Sequence, residues 1–240
     1  MIAIVDYGAG NLRSVARALA AAGAAHVEIT ADPNRIAAAD RIVLPGVGAF
    51  AQCITALRTA DGIEPALADA VVSRGVPFLG ICVGMQLLAT EGHEHGVHRG
   101  LGWLPGVVTR MVPDDPALKI PHMGWNSVSA VNDSGAAEGH AYFVHSYRFD
   151  PDDVGDIRAV SDHGGGFPAI VARGNVTGVQ FHPEKSQHYG LAFLKVWLKT
   201  PPPCKGGGQG EGSSVLSEVS LHAASILPPT PSLQGRGSTL

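Results

Sequence analysis

The stretch Gly80-Ile81-Cys82-Val83-Gly84-Met85-Gln86 constrains this chain more than any other. The apolar run Val76-Pro77-Phe78-Leu79 leads into it, and a helix-like segment follows from Gly84. The order predicts a strand, a sharp turn and a helix, with cysteine where the G-x-S-x-G nucleophile elbow has serine. Glycines two residues to either side keep side chains away from a strained turn. The thiol is then expected to stand exposed at the strand's carboxyl end, over a helix N-terminus that favours the thiolate. A buried structural cysteine is the plain alternative, and the paired glycines at a strand-to-helix switch weigh against it.

A nucleophilic thiol needs a base, and the base needs a group that orients it. Such a pair stands in Gly178-Val179-Gln180-Phe181-His182-Pro183-Glu184-Lys185-Ser186. The apolar run predicts a short strand with His182 at its end. Glu184, two residues on, falls on the same side of an extended segment, where its carboxylate can hold one imidazole nitrogen while the other faces the sulfur. A histidine followed closely by a glutamate is common and says little alone. Its force comes from the distant cysteine elbow, because triads are assembled in space rather than along the chain.

The rest of the chain alternates strand and helix patterns. Ile2 to Val5 reads as a buried strand, and Leu12, Val15, Ala16, Leu19 and Ala22 recur at helical spacing up to Gly23. Residues 26–30 and 41–44 read as strands, and residues 50–59 and 64–74 as helices. This alternation predicts a mostly parallel sheet covered on both faces, with ligands at the carboxyl ends of its strands. Beyond residue 105 the runs 107–112, 142–149, 157–160 and 169–172 are strand-like. They add antiparallel strands to the same domain, and a helix ends near Trp197. Residues 1–200 are thus expected to form one α/β domain. Residues 201–240, opening on Pro201-Pro202-Pro203 and rich in Gly, Ser and Pro, are expected to be a disordered tail in which Cys204 has no role.

The elbow and the Phe181-His182-Pro183-Glu184-Lys185-Ser186 block together resemble the triad-type, class I glutamine amidotransferases. Within that family, three more stretches resemble the glutaminase subunits of imidazole glycerol phosphate synthases. They are Asp6-Tyr7-Gly8-Ala9-Gly10-Asn11-Leu12, Pro45-Gly46-Val47-Gly48 and Pro121-His122-Met123-Gly124-Trp125-Asn126. The likeness runs from residue 1 to about 199, and Val47 distinguishes it from sibling glutaminases that carry glycine there. The resemblance implies the class I glutamine amidotransferase fold and hydrolysis of glutamine through a Cys82 thioester, with His182 as base and Glu184 orienting it. It implies backbone oxyanion donors at Val47 and Val83, and a glutamine site from Gly48, Gln86, Glu94, Ser146 and Tyr147. It also implies a heterodimer with a (β/α)8 cyclase subunit that consumes the ammonia in histidine biosynthesis. Asn11, Ser14, His122, Met123, Trp125 and Lys185 are the positions expected at that contact. No cofactor or metal is implied.

The formal net charge of -4, with no Lys/Arg stripe, argues against nucleic-acid binding. No apolar run approaches the ~20 residues of a membrane span. The start of the chain does not read as a signal peptide, and three cysteines make no disulfide framework, so a cytoplasmic protein is expected. Gly8-Ala9-Gly10 suggests a dinucleotide turn, but Arg13 occupies the third glycine's place. His93-Glu94-His95 with His98 lacks metal-motif spacing and reads as a solvated loop. Cys53 reads as a core residue. Two rival readings are a triad glutaminase serving another synthase and a non-catalytic interaction subunit of the same fold. Val47 and the 121–126 block speak against the first, and the complete Cys82, His182 and Glu184 set against the second.

Overall fold

Strands covered on both faces need apolar residues throughout, and β1 (Ile2–Val5) is buried at every position of the computed structural model, which describes residues 1–131 and 134–201. The expected tail, with Cys204, lies outside the described residues from position 202 onward. Helix α1 (Leu12–Ala21) turns Val15, Ala18 and Leu19 inward. It stops where Gly23 takes a φ of 104°, with the amides of Gly23 and Ala24 bonded back to Ala20 and Leu19. This is the left-handed glycine stop that lets a helix end satisfy its last carbonyls. Strand β2 (Val27–Thr30) follows, and then a short helix, α2 (Pro33–Ala37), that no apolar periodicity marks. Its start is encoded instead by Asp32, which accepts from the Asn34 N–H at 2.8 Å, and by Pro33 in the first turn.

Strand β3 (Arg41–Gly46) leads to α3 (Phe50–Thr59), which occupies the expected span, and to α4 (Ile63–Ala68), prolonged by a π-turn over Asp69–Ser73. Strand β4 (Phe78–Cys82) is wholly buried and passes directly into α5 (Val83–Gln86). That helix is one turn long, shorter than the sequence suggests. Short strands β5 (Glu91–Gly92) and β6 (His98–Arg99) precede β7 (Gly106–Arg110) and the nine-residue β8 (His122–Ala130). Strand β8 carries few apolar residues and buries only His122 and Val128, so its sequence does not advertise a strand.

The expected single strand over 142–149 is two strands, β9 (Gly139–His145) and β10 (Tyr147–Pro151), separated by Ser146 alone. Strands β11 (Ile157–Asp162), β12 (Gly166–Arg173) and β13 (Val176–Val179) then lead to the last helix, α6 (Gln187–Leu198).

Among the described residues, nine strands form one sheet in the order β2-β1-β3-β4-β13-β12-β11-β8-β9. The first five are parallel and the rest antiparallel, so the sheet expected to be mostly parallel is a mixed one, with the added antiparallel strands coming from the second half of the chain as expected. Two helix groups pack beside it, α1 with α6 and α4 with α2 and α3. A second sheet runs β10-β7-β5-β6. The chain changes sheets at Ser146, because β9 pairs with β8 whereas β10 pairs with β7. The central position of β4, flanked by β3 and β13, brings the carboxyl ends of all three strands to one place. No helix among the described residues is long and apolar enough to cross a membrane.

Candidate active site

At the end of β4, Cys82 adopts φ 55° and ψ -113°, a conformation costly for any residue with a side chain. Strain of this kind persists only where the surroundings impose it, and here the packing of backbone on backbone does so. A Cβ on Gly84 would lie 1.9 Å from the Leu44 carbonyl oxygen of β3, and one on Gly80 would lie 2.5 Å from the Gly84 oxygen. Cys82 is 4% exposed, so the thiol is buried against a cavity rather than exposed as expected from its place at a strand end. Val83 occupies the first position of α5, where a backbone N–H has no acceptor within its own helix.

His182 follows β13, its backbone amide bonded to the Tyr142 carbonyl of β9. The segment beyond it is not extended: Pro183–Lys185 form a 3-10 turn, which folds Glu184 back until its Oε1 meets His182 Nδ1 at 2.9 Å. Ser186 locks this turn, donating to the His182 carbonyl at 2.7 Å and accepting from the Tyr142 amide. Both members of the His182–Glu184 pair are buried. Burial alone lowers the imidazole pKa, but the interactions with Cys82 and Glu184 outweigh it and push His182 up to about 9. Nε2 itself makes no hydrogen bond of regular geometry, so the sulfur is near it without being locked to it.

A cavity of about 290 Å³ lies over Cys82, lined by Val47, Gly48, Cys82, Val83, Gln86, Glu94, Ser146, Tyr147 and His182, together with Pro121, Val144 and His145. The fold thus gathers residues from six separate stretches of chain around one thiol. Glu94, from the loop between β5 and β6, also accepts from the Phe50 amide at 2.6 Å and so caps the start of α3. Gln86 is almost fully buried, and its Nε2 donates to both the Tyr147 carbonyl and Gln180 Oε1 at 3.0 Å. This leaves its Oε1 as the atom free to meet a ligand.

The Pro45–Gly48 turn is anchored at two carbonyls. Tyr7 Oη donates to the Pro45 oxygen at 2.9 Å, and Cys53 Sγ donates to the Val47 oxygen at 3.2 Å. Burial pushes the Cys53 thiol and the Tyr7 hydroxyl up, so both stay protonated donors. Cys53 is the buried residue that its apolar helix suggested, with this added contact. The peptide between the two anchored carbonyls carries the Val47 N–H. Gly48, with φ 97°, closes the turn in a conformation suited to glycine.

Beside the cavity lies a histidine pair that the sequence reading did not identify as such. His145 Nδ1 meets the Tyr147 carbonyl at 2.9 Å, so it carries the proton. His145 Nε2 then accepts from His122 Nδ1 at 3.0 Å, and His122 Nε2 accepts from Asn126 Nδ2 at 3.2 Å. His122, expected at a partner surface, is instead 4% exposed and stacks on His163 and Phe143. Side chains alternate across a strand, and this turns His122 inward while Met123 on the same strand is 63% exposed. Trp125 is half exposed, Lys185 is exposed with its ammonium over the Tyr142 ring, and Asn11 and Ser14 are partly exposed.

Burial and the neighbouring imidazoles hold His122 down to about 4 and His145 to about 3, against an ordinary value of 6.5. Below pH 6.5 the unfolded chain binds protons there that the folded chain refuses, so stability should fall as pH drops from 6.5 towards 4. The raised His182 works in the opposite sense, its contribution being complete below 6.5 and lost as pH rises through about 9. Urea midpoints measured at pH 4.5, 6.5 and 9 should therefore peak in the middle, and His145→Gln should flatten the acid limb. An acid limb unchanged in that variant would contradict the assignment.

Residues 3–197 match the family model described as glutamine amidotransferase class-I. The chain is 55% identical over 205 residues to the imidazole glycerol phosphate synthase subunit HisH of Zymomonas mobilis, covering 84% of this chain and 96% of that one. It is 52% identical to the subunit of that name from Caulobacter vibrioides over 84% of this chain and 99% of that protein. A crystal structure of a glutamine amidotransferase superposes with a TM-score of 0.65 at 20% identity, over 82% of this chain and 98% of the other, a likeness of fold.

Proposed function

The chain belongs to the class-I glutamine amidotransferase family, and we propose on that premise that it is the glutaminase subunit of an imidazole glycerol phosphate synthase, serving histidine biosynthesis in the cytoplasm beside a cyclase subunit. The observation that carries the chemistry is a strained cysteine at a strand end, facing a buried His–Glu pair across one cavity. Residues 1–200 are the catalytic unit in this reading, which the matched span of 3–197 supports.

In the proposed reaction Cys82 Sγ attacks the side-chain amide carbon of glutamine. The carbonyl oxygen becomes an oxyanion, received by the backbone N–H groups of Val83 and Val47. His182, which its raised pKa keeps protonated at neutral pH, gives its proton to the departing nitrogen, and ammonia leaves as the thioester forms. The now neutral imidazole takes a proton from water, hydroxide adds to the thioester, and collapse releases glutamate and restores the thiolate beside the protonated His182. Glu184 holds Nδ1–H throughout, so Nε2 is always the nitrogen that handles the proton. Glu94, with one oxygen held by the Phe50 amide, presents its other oxygen to the ammonium of the substrate. Gln86 Oε1, Gly48, Ser146 and Tyr147 complete the glutamine site.

Asn11, Ser14, Met123, Trp125 and Lys185 are proposed to face the cyclase, with His122 acting from beneath that surface. The Val47 N–H lies on a peptide between two anchored carbonyls, so a rotation of that one peptide adds or removes an oxyanion donor without moving its neighbours. One such donor is typically worth ~3 kcal/mol. Purified alone, the chain should hydrolyse glutamine slowly. Adding the cyclase subunit with its nucleotide should raise the rate by roughly two orders of magnitude. Full activity of the lone chain, or no glutamine-dependent synthesis from the pair, would contradict the proposal.

A further inference from the structure

A hydrogen bond to the sulfur comes from Gln180, a residue outside the lining of the cavity. Gln180 is completely buried beyond the end of β13, its backbone amide fixed to the Ala169 carbonyl at 3.0 Å. A polar side chain between Val179 and Phe181, both buried, is costly unless its amide is satisfied at both ends. It is: Oε1 accepts from Gln86 Nε2 at 3.0 Å, and Nε2 donates to Cys82 Sγ at 3.7 Å.

The direction of that bond is fixed by the structure around it. Two nearly symmetric amides could face each other either way round, but Gln86 also meets the Tyr147 carbonyl, which can only accept. The Gln86 amide must therefore turn its NH₂ group to that carbonyl. The same NH₂ group meets Gln180, which must answer with its oxygen. The Gln180 NH₂ group is then the one left facing sulfur. The Tyr147 carbonyl also receives His145 Nδ1–H, so it is doubly occupied by donors and cannot change role. A backbone oxygen of β10 thus dictates, through two side-chain amides, that a donor rather than an acceptor points at Cys82.

We propose that Gln180 is a positioning residue for the nucleophile, directing an N–H at Cys82 Sγ through the Gln86 amide so that the thiolate is favoured and held facing the cavity. The proposal rests on the reading of Cys82 as the nucleophile. Gln180 acts through the sulfur and touches no substrate. An oxygen in the same position would repel the thiolate instead, so the bond's direction matters as much as its presence.

The test uses the full chain with its cyclase partner and two variants of similar size, Gln180→Glu and Gln180→Met. Iodoacetamide capture of Cys82, followed by mass spectrometry across a pH series, reads the thiolate directly. Both variants should slow capture at neutral pH by about tenfold or more, the scale of a hydrogen bond to a charged group, and should move the pH profile of capture upward. Gln180→Glu should show the larger effect, since an ionised carboxylate only accepts. In glutamine-dependent synthesis kcat should fall more than KM rises, with ammonium-driven synthesis retained. Capture of Cys82 at the wild-type rate and pH profile in a folded Gln180→Met chain would overturn the proposal, as would a change confined to KM. If Gln180→Glu fails to fold, the Met variant alone decides. Failure of the underlying reading has a separate signature, in which Cys82→Ala itself retains glutamine-driven turnover.

Discussion

Cys82→Ala should abolish glutamine-dependent synthesis by the two-subunit enzyme and leave synthesis driven by added ammonium salt at its wild-type rate. The sulfur's only task in the proposed scheme is to release ammonia, so an external supply bypasses it. Residual glutamine turnover after the change should be at or below one part in a thousand, since the covalent route disappears with the atom that forms it. The variant should fold, because the methyl of alanine fits wherever the cysteine Cβ does. A diazoketone analogue of glutamine should mark Cys82 and spare Cys53, which is buried in α3 with its thiol turned to the Val47 carbonyl. Labelling of both at similar rates would contradict the site.

Gly84→Ala should be among the most damaging single methyls at the described glycines. The added carbon would lie 1.9 Å from the Leu44 oxygen, and that neighbour is backbone in the middle of the sheet, with no flexible end to swing away. Relief requires α5 to lift off β3, which moves the Val83 amide and releases the strain at Cys82. A loss of roughly 3 kcal/mol or more is expected, or about 10 °C in melting temperature for a chain of this length. Gly166→Ala is the control, since a Cβ there meets nothing within 4 Å and the backbone is not left-handed. Calorimetry of the two variants should separate them clearly. Equal melting temperatures would show that the elbow does not depend on close backbone packing.

The parallel half of the sheet was legible because β1 and β4 are apolar throughout and its helices carry a 3.6-residue period, as at Leu12 to Ala21 and Phe50 to Thr59. What escaped was set by contacts rather than by pattern. Helix α2 is started by a cap and a proline, with too few turns to show periodicity. Strand β8 is mostly polar, so only its pairing with β9 and β11 makes it a strand. The break at Ser146 leaves no trace because Ala141, Phe143, His145 and Phe149 keep one alternation running straight through it. Short motifs marked Cys82, Val83, His182, Val47 and Gly48, and the family resemblance added Gln86, Glu94, Ser146 and Tyr147 around the same cavity. Gln180 and His145 were not singled out, because the value of a buried amide or imidazole lies in which neighbour it faces. The one local hint was a glutamine in an otherwise apolar strand end.

The passage of the chain between sheets at Ser146 has a mechanical consequence. A one-residue connection has no slack, so β9 and β10 behave as two leaves sewn together along the cavity wall. Any tilt of the four-stranded sheet is transmitted at that seam to Ser146 and Tyr147 and alters the width of the opening over Cys82. The seam is stitched from the other side too, where the Met111 amide bonds to the Ser146 carbonyl at 2.9 Å. A molecule gripping both leaves would act as a splint. The rigidity it adds should appear as slower amide exchange at Met111, on the last stitch of the small sheet, even though Met111 is not among the residues that line the cavity.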